Sequence, residues 1–453
     1  MGAPGSLRAM GRLFGTDGIR GVAGIDLTRE LARDLGRAAV AVLGGHSGGR
    51  PTFVIGRDTR GSGEWLEASL ADGICSGGGD AIVVGVEPTP GIAFLTVELG
   101  ASSGVVISAS HNPPQDNGIK FFSADGMKLP DQLEDEIEAV LGEPLAATVT
   151  PGELRVADVG RERYLEHLVA SADAPLDGMS VVVDCANGAA SGLAPQVLER
   201  LGADVHAIFY RPDGENINVG CGVMHPEVVA AEVVRLGADA GVAHDGDVDR
   251  ALFADAAGNV IDGDQVLAAC ALAMQARGSL VGNTVVTTVM ANLGFHRAMR
   301  EAGIDVVAAQ VGDRYVLEEM LRTGTVLGGE QSGHIIFREQ ATTGDGLLTA
   351  VRFLSLAAAH GVSIQELASC MVRFPQVLVN IRVSNPSRLQ DAKDVWEAVR
   401  RTEEMLGNGG RVLVRPSGTE PLVRVMVEAE TQGDAVRHAD ALAEIVRSDL
   451  AGG

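Results

Sequence analysis

Apolar and polar positions alternate along this chain in a rhythm that predicts helices and strands in turn. Residues 27–43 form a helical pattern whose apolar face carries Leu31, Leu35, Ala38, Ala39 and Val42. Short apolar runs follow at 52–55 and 81–86, with a helical stretch at 64–74 between them. This order predicts a βαβ unit and a largely parallel, doubly wound sheet, which an acidic helix at 133–141 would close.

The same rhythm restarts twice and then changes. Strands are predicted at 181–184, 204–209, 240–243, 284–289, 305–309 and 325–327, and helices up to 201 and at 226–236, 265–275, 293–301, 313–321 and 345–359. From 373 the order is strand 376–383, helix 395–406, strands 411–414 and 422–428 and helix 434–450. We therefore predict three doubly wound mixed α/β domains in tandem and a smaller C-terminal α+β domain, with bounds 1–155, 156–260, 261–372 and 373–453.

The central apolar run Val105, Val106 and Ile107 reads as a buried strand that ends in Ser-Ala-Ser-His-Asn-Pro-Pro, a sequence suited to neither strand nor helix. Ligands of open α/β sheets bind beyond the carboxyl ends of the strands, where this pattern places Ser110 and His111. A surface loop with a spare serine is the competing interpretation. Asp116-Asn117-Gly118 predicts a turn before Lys120 and another apolar run.

Composition and charge exclude several classes of partner. The 453 residues, 46% of them apolar, suffice for several cores. Lys and Arg number 36 against 60 Asp and Glu, so the net charge is −24, which repels nucleic acid and anionic membranes. Aromatic residues make up only 4%, so base stacking is not expected. An anionic substrate would need local basic groups or a cation at its site.

The cysteines predict a reduced, cytoplasmic protein, because they are odd in number and never form a Cys-x-x-Cys pair: Cys75, Cys185, Cys221, Cys270 and Cys370. No run of ~18 apolar residues predicts a membrane span. The first nine residues lack the apolar segment of a signal peptide and are interpreted as an extension.

Residues 244–250, reading HDGDVDR, place Asp245, Asp247 and Asp249 just past a predicted strand. Hard oxygen ligands at this density suit Mg²⁺, which also tends to keep a phosphate oxygen in its shell. A solvated acidic turn is the plain alternative. An EF-hand loop fails, because its sixth residue would be Arg250 instead of Gly and its twelfth Ala256 instead of Glu. A phosphatase with an aspartyl nucleophile would have Thr or Val where Asp249 stands.

Two further loops carry candidate binding groups. Residues 328–334, GGEQSGH, offer Glu330, Ser332 and His334, which match the hydroxyls or the amine of a sugar. Residues 415–421, RPSGTEP, with a further arginine beyond, could cradle a phosphate through Arg415, Ser417, Gly418, Thr419 and Arg424. A glycine-rich turn and an ordinary hairpin loop are the respective alternatives. No Walker sequence occurs, so no nucleotide is expected.

Taken together, the motifs closely resemble the α-D-phosphohexomutase superfamily over nearly the whole chain from Arg12. The resemblance depends on FGTDGIRG at 14–21, GRDTR at 56–60, ISASHNP at 107–113, DNGIK at 116–120 and the three loops above. Gln331 and Gly418 are similar to the glucosamine-specific branch, whereas phosphomannomutase and phosphoglucomutase relatives tend to have Met and Asn there.

The resemblance implies a heart-shaped enzyme of four domains in which Ser110 carries a phosphoryl group and Mg²⁺ lies between that group and the three aspartates. It implies that Lys120, ranked first, or His334 is the general acid/base, with Arg20 assisting and His111 positioning the serine loop. A lysine in this role needs its pKa lowered. Substrate would contact Glu330, Ser332, His334 and Arg250, and its phosphate would bind the loop at 415–421 and Arg424.

The implied reaction interconverts glucosamine 6-phosphate and glucosamine 1-phosphate through a bisphosphorylated sugar, which also primes the enzyme. Its product would feed the synthesis of UDP-N-acetylglucosamine and cell-wall precursors. Alternatives are a phosphomannomutase/phosphoglucomutase, a Mg²⁺-dependent sugar phosphatase using Asp245, and a non-catalytic sugar-phosphate binding protein. The expected partner is a phosphosugar, with no nucleic acid or membrane, and the expected assembly is a monomer or homodimer.

Overall fold

The computed structural model describes residues 12–15, 17–46, 49–143, 150–157, 160–417 and 421–450. Its strands are β1 (Ile19–Val22), β2 (Thr52–Arg57), β3 (Asp80–Val86), β4 (Ser103–Ile107), β5 (Asp116–Ser123), β6 (Leu154–Val156), β7 (Ser180–Asp184), β8 (Asp204–Ile208), β9 (Ala240–His244), β10 (Ala251–Asp255), β11 (Val260–Ile261), β12 (Thr284–Thr288), β13 (Asp305–Ala309), β14 (Leu327–Gly329), β15 (Ile335–Phe337), β16 (Gln376–Arg382), β17 (Gly410–Pro416) and β18 (Leu422–Ala429). Its α-helices are α1 (Arg29–Leu43), α2 (Gly63–Gly77), α3 (Thr89–Glu98), α4 (Asp131–Val140), α5 (Gly160–Ala170), α6 (Ala194–Arg200), α7 (Pro226–Leu236), α8 (Gly263–Ala276), α9 (Leu293–Glu301), α10 (Asp313–Thr323), α11 (Gly346–His360), α12 (Ile364–Ala368), α13 (Lys393–Leu406) and α14 (Gln432–Leu450).

Most predicted elements form within a few residues of the expected bounds. Helices α3, α5 and α12 were not predicted. Helix α3 is buried on nearly every side and contains Pro90 and Gly91, so it lacks the amphipathic period that identifies a surface helix. Strands β1, β6, β10, β11 and β15 were also missed, and each is at most five residues long, which leaves little pattern to identify it.

The first sheet has the order β1-β5-β4-β2-β3-β6 and is mixed instead of largely parallel. Strands β4, β2, β3 and β6 run parallel, whereas β5 pairs antiparallel with both β4 and β1. The reason is that residues 108–115 turn the chain straight back beside β4, without the crossover helix that a parallel strand requires. One face packs on α1 and α2, and the other on α3.

Two further sheets continue the α/β architecture. The second has the order β11-β10-β9-β7-β8, in which β9, β7 and β8 run parallel and β10 and β11 add an antiparallel edge. The third has the order β13-β12-β14-β15, with β14 parallel to β12 and antiparallel to β15. The ends of β4, β9 and β14 carry the serine, aspartate and Glu330 loops, as the crevice rule predicts.

The described residues divide into two compact units. One comprises residues up to 289 together with 306–369, and the other comprises 290–305 and 370–450. The second unit contains the antiparallel sheet β16-β18-β17, which packs on α13 and α14. Helix α9 belongs to it: Asn292 caps the helix and donates to the Phe374 carbonyl at 3.0 Å and to Glu428 at 3.1 Å. Among the helices of the described ranges, we find none with the length and apolarity needed to cross a bilayer.

Candidate active site

Ser110 lies three residues beyond the end of β4, in a left-handed backbone conformation with φ of 50°. Its amide N–H donates to the Ser108 hydroxyl at 3.0 Å, which holds the turn. Its own hydroxyl is buried, donates to an Asp245 carboxylate oxygen at 2.7 Å and lies 3.2 Å from Nδ1 of His111. The serine and the aspartate loop, each predicted from its own stretch of sequence, therefore meet at one point.

The aspartate loop leaves the end of β9 and brings three carboxylates together. One ligand oxygen from each of Asp245, Asp247 and Asp249 lies within 4.8 Å of the others, and all three side chains are buried. Gly246 makes the approach to the serine possible, because a Cβ on it would lie 2.7 Å from the Ser110 carbonyl oxygen. A solvated acidic turn is excluded by the burial.

Hydrogen bonds occupy only part of this carboxylate group. Asp247 Oδ2 accepts from the Thr89 hydroxyl at 2.6 Å and lies 3.3 Å from Lys120 Nζ. Oδ1 of Asp247 and Oδ1 of Asp249 are buried and have no hydrogen-bond partner in the described part of the chain. Unsatisfied buried carboxylate oxygens are costly unless a cation binds them. The donor set, all hard oxygens beside a serine hydroxyl, fits a divalent metal ion.

Burial and neighbouring charges shift the pKa values of Asp245 and Asp249 in opposite directions. Burial and the neighbouring charges of Asp249 and Asp247 raise the pKa of Asp245 well above its usual value. Burial also opposes the charge of Asp249, but the His334 ring and Arg250 lower the pKa of Asp249 well below its usual value. Three carboxylates this close repel one another, and the repulsion disappears when a cation binds.

Lys120 and Arg20 share one acidic partner. Lys120 Nζ lies 3.4 Å from Asp17 and 3.3 Å from Asp247, and Arg20 forms a short ion pair with Asp17. Burial disfavours the lysine charge, but Asp17, Asp247 and Asp249 outweigh it and raise the pKa of Lys120. This direction is opposite to the lowering that a lysine base needs, because the three acidic neighbours outweigh both burial and the nearby charge of Arg20.

His334 has two neighbours that favour different protonation states. Burial works against a charge on the ring, but the Asp249 carboxylate, 3.5 Å from Nδ1, raises the pKa of His334 to about 9. The Gly344 amide N–H donates to Nε2 at 3.1 Å, which requires a lone pair on that nitrogen. We therefore assign the ring proton to Nδ1. A second proton can bind only if the Gly344 amide turns away.

The remaining residues of the Glu330 loop form a tight turn between β14 and β15. The Glu330 amide donates to the His334 carbonyl at 3.0 Å, and its carboxylate accepts from the Gly312 amide at 3.1 Å. Burial raises the pKa of Glu330, while His334 and Arg250 act against the shift. The Ser332 hydroxyl is buried, and no described residue hydrogen-bonds to it. The side chain of Arg250 lies 3.7 Å from Asp249.

The predicted phosphate loop belongs to the second compact unit. Arg415 on β17 and Arg424 on β18 are direct cross-strand neighbours. Burial and the Arg424 charge lower the pKa of Arg415. Two adjacent arginines repel each other, so the pair is suited to an anion. Ser417 follows β17, whereas Gly418 and Thr419 lie outside the described residues.

Four domains of one family match the chain in order: the phosphoglucomutase/phosphomannomutase α/β/α domains I, II and III at 11–145, 162–258 and 262–374, and the C-terminal domain at 378–445. These matches cover far more than half of the chain. The chain belongs to the phosphoglucomutase/phosphomannomutase family.

Relatives within and around this family are similar over their full length. A phosphoglucosamine mutase of Frankia alni is 54% identical, over 97% of this chain and 99% of the relative. One of Desulforamulus reducens is 52% identical, over 96% of this chain and 99% of the relative. A crystal structure of a phosphoglucomutase/phosphomannomutase family protein from Burkholderia thailandensis superposes with a TM-score of 0.83 at 26% identity, covering 98% of both chains.

Several residues of this phosphoglucomutase/phosphomannomutase site were not predicted from sequence. Asp17 lies in the motif FGTDGIRG and Arg60 in the motif GRDTR, but neither residue was predicted to act in the site. Thr89 was missed together with α3, although Pro88-Thr89-Pro90 is a typical helix start that could have identified it. Asn218, which donates to the Ser110 carbonyl at 2.9 Å, carries no signal in its surroundings. Such partners come from distant parts of the chain, so only the fold reveals them.

Proposed function

We propose that this chain interconverts glucosamine 6-phosphate and glucosamine 1-phosphate, with Ser110 as the covalent carrier of the phosphoryl group. One observation carries the proposal: the Ser110 hydroxyl lies 2.7 Å from Asp245 inside a group of three buried carboxylates. Full-length similarity to phosphoglucosamine mutases supports the choice of an amino sugar. The reaction is an isomerisation by intramolecular phosphoryl transfer.

The metal ion of this site is Mg²⁺ in our proposal, held by Asp245, Asp247, Asp249 and an oxygen of the phosphoryl group on Ser110. Oδ1 of Asp247 and Oδ1 of Asp249 accept no hydrogen bond from a described residue, and Asp249 Oδ1 has only the Arg250 side chain at 3.7 Å, so both oxygens can serve as ligands. When bound, the ion neutralises the charge that develops on the transferring phosphoryl group. Mg²⁺ prefers such a shell of carboxylates and phosphate oxygens.

The proton balance closes on this chain's own residues. In the first half-reaction the phosphoryl group leaves the Ser110 oxygen for O1 of glucosamine 6-phosphate; the O1 hydroxyl loses a proton and the Ser110 oxygen gains one. In the second, the 6-phosphoryl group is transferred to the Ser110 oxygen; the Ser110 hydroxyl loses its proton and O6 gains one. Lys120, held in its charged form by Asp17 and Asp247, protonates the oxygen that the phosphoryl group leaves. It then takes up the proton that the attacking hydroxyl loses.

The other predicted catalytic side chains have supporting positions. His111 lies 3.2 Å from the Ser110 hydroxyl and orients it. His334, whose Nε2 accepts from Gly344, orients Asp249 and remains the second acid/base candidate. Arg20 pairs with Asp17 and adds positive charge beside Lys120. The charges of Arg20 and Lys120 offset locally the net charge of −24, which would otherwise repel an anionic substrate.

Substrate recognition is assigned to two loops. Glu330, Ser332, His334 and Arg250 would contact the sugar, with the Glu330 carboxylate pairing with the 2-ammonium group. Arg415, Ser417, Gly418, Thr419 and Arg424 would hold the phosphate that is not reacting. A bisphosphate must reverse between the two half-reactions, so the recognition groups have to accept both orientations of the sugar.

Further parts of the proposal concern organisation and context. We retain domain bounds at 1–155, 156–260, 261–372 and 373–453, a cytoplasmic location, and a monomer or homodimer. Priming would come from a sugar bisphosphate, with no nucleotide. The product would supply UDP-N-acetylglucosamine and cell-wall precursor synthesis.

The test is intact-mass analysis of the purified protein after incubation with glucose 1,6-bisphosphate, combined with assays of Ser110→Ala and Ser69→Ala. We expect one added phosphoryl group mapped to Ser110, and loss of mutase turnover by at least about 10³-fold in Ser110→Ala. Ser69, whose hydroxyl bonds only within α2, is the matched control and should retain activity. Release of inorganic phosphate by an active Ser110→Ala variant would instead identify a phosphatase. A Ser110 that is never phosphorylated would identify a binding protein.

A further inference from the structure

The loop that carries Ser110 is held by a side chain that no part of the proposed chemistry uses. Arg60, in the loop after β2, is completely buried. Its guanidinium donates to the carbonyls of Ser110 at 2.9 Å and Asn112 at 2.8 Å, and to those of Asp116 at 2.9 Å and Pro113. One side chain therefore fixes four carbonyl oxygens between Ser110 and Asp116.

The charge of Arg60 has its own fixed partner. Asp58 is also buried, and its carboxylate accepts from Arg60 Nε at 2.9 Å and from the Arg60 amide at 3.0 Å. The same carboxylate accepts from the Ser108 hydroxyl at 2.6 Å, and that hydroxyl in turn accepts from the Ser110 amide at 3.0 Å. The pair thus contacts the serine residue through both its N–H and its C=O.

A second donor reaches the same two carbonyls from another part of the chain. The side-chain amide of Asn218 donates to the carbonyls of Ser110 at 2.9 Å and Asn112 at 3.1 Å. Asn218 is itself in the left-handed region, with φ of 60°. Both lone pairs of the Ser110 carbonyl are therefore used, which leaves the peptide group little freedom to rotate.

This restraint is needed because of the backbone conformation at Ser110. A φ of 50° is uncommon for a residue other than glycine, and such a conformation persists only where the surroundings determine it. Rotation of the turn would move the hydroxyl away from the three carboxylates. A phosphoryl acceptor misplaced by about 1 Å loses much of its rate.

We infer that Arg60, together with Asn218, is a positioning residue that holds the Ser110 turn in the geometry required for phosphoryl transfer, an inference that rests on the proposed function. Neither residue touches the reacting atoms. Their effect is therefore expected in the rate of transfer to and from Ser110 and not in the affinity for the sugar phosphate.

The experiment measures four quantities on full-length Asn218→Gly, Arg60→Lys and Arg60→Met. They are the rate of Ser110 phosphorylation by glucose 1,6-bisphosphate, kcat and KM for glucosamine 6-phosphate, and amide hydrogen exchange over residues 108–118. Asn218→Gly removes the donor and keeps the left-handed backbone free of strain. Arg60→Lys keeps the charge beside Asp58 but cannot serve four carbonyls. Arg60→Met removes both the charge beside Asp58 and the donors to the four carbonyls.

We expect Asn218→Gly to lower the phosphorylation rate and kcat by about tenfold and Arg60→Met by at least about a hundredfold, with KM within about threefold of the parent. Arg60→Lys should fall between the parent and Arg60→Met, and exchange should rise only over 108–118. If Arg60→Met does not fold, Asn218→Gly alone decides, because its side chain lies at a partly exposed position.

The inference is overturned if the parent is phosphorylated on Ser110 and folded variants are phosphorylated equally fast. It is also overturned if the loss appears in KM alone, or if exchange rises throughout the chain. A parent protein that is never phosphorylated contradicts the proposed function instead, so the two failures are distinguishable.

Discussion

The hydroxyl of Ser110 and a carboxylate oxygen of Asp245 lie 2.7 Å apart although 135 positions separate them in the chain. Each residue follows the carboxyl end of a strand, β4 in the first sheet and β9 in the second. Gly246 allows the contact, since a side chain there would collide with the Ser110 carbonyl. The proposed nucleophile and the three carboxylates proposed as metal ligands are thereby brought to one place by two separate sheets.

The three aspartates should lower the stability of the metal-free protein and strengthen the binding of a metal ion. Asp247→Asn removes one of three mutually repelling charges, so it should raise the melting temperature of the metal-free protein. The same change should weaken Mg²⁺ binding at least about tenfold, the loss typical even of residues that only support a ligand. Titration calorimetry with MgCl₂ and thermal melts in EDTA measure the two effects.

The matched control for Asp247→Asn is Asp305→Asn, which removes an exposed carboxylate at the start of β13. It should change neither quantity. In the parent, excess Mg²⁺ should raise the melting temperature, because a ligand that binds the folded state stabilises it. An Asp247→Asn protein that binds Mg²⁺ as the parent does would show that the carboxylates are not the ligands.

Gly246→Ala tests the close approach of the two loops. A Cβ at this position would lie 2.7 Å from the Ser110 carbonyl oxygen and 2.9 Å from Nδ2 of the Asn218 side chain, so the serine turn must shift. We expect kcat to fall by about 10²-fold with little change in KM. Steady-state kinetics on glucosamine 6-phosphate provide the measurement.

Gly433→Ala is the control for this substitution, because a Cβ there meets nothing within 4 Å. It should leave kcat unchanged. Normal kcat in Gly246→Ala would mean that the two loops can separate without loss, which contradicts the importance of the 2.7 Å contact.

Glu87 predicts a pH dependence of stability outside the carboxylate group. Burial raises the pKa of Glu87 from 4.5 to about 7, although Arg161 lies 3.2 Å away and acts against the shift. Because the pKa of Glu87 is raised in the folded state, the contribution of Glu87 to the free energy of unfolding is fully present below pH 4.5. This contribution is lost as the pH rises through 7. Glu87→Gln, which cannot ionise, should gain up to about 3 kcal/mol relative to the parent between these values.

Thermal melts of both proteins from pH 4.5 to pH 8 check the sign. The matched control is Glu98→Gln, which breaks an exposed ion pair with Arg163 at 2.8 Å and should show a small difference that does not follow this course. A Glu87→Gln protein that becomes less stable relative to the parent as the pH rises would refute the assignment.

How far the sequence predicts this molecule depends on the range of each signal. Ser110, Asp245 and His334 stand in short motifs at strand ends, where residue type and local pattern are enough to identify them. Arg60 stands in such a motif, but its partners are four carbonyls some fifty residues away, as the separations of 50, 52, 53 and 56 positions show. Local patterns do not encode such contacts.

The raised pKa of Lys120 could not be predicted from the sequence either. A role as a base requires burial or cationic neighbours to lower the pKa of Lys120. The lysine is buried, but Asp17 and Asp247 lie beside it and the pKa is raised instead. Helix α3 shows the same limit for secondary structure: burial on nearly every side removes the periodicity from which a helix is predicted. Thr89, whose hydroxyl donates to Asp247 at 2.6 Å, was therefore not predicted as a site residue.

The preference for an amino sugar is tested at Glu330. Its carboxylate is held by the Gly312 amide at 3.1 Å, which fixes its direction. An ammonium group pairs with a carboxylate but not with a neutral amide. Glu330→Gln should therefore lower kcat/KM for glucosamine 6-phosphate by about 10- to 100-fold and affect glucose 6-phosphate much less.

The control for Glu330→Gln is Glu339→Gln, an exposed carboxylate just beyond the same hairpin, which should leave both substrates unchanged. The decisive quantity is the ratio of the two kcat/KM values and not either value alone. A general loss of folding or of metal binding lowers both values together, whereas loss of the ammonium partner lowers only one. Equal losses on both substrates would mean that Glu330 contacts a group that the two sugars share, such as a ring hydroxyl, and that the preference for the amine arises elsewhere.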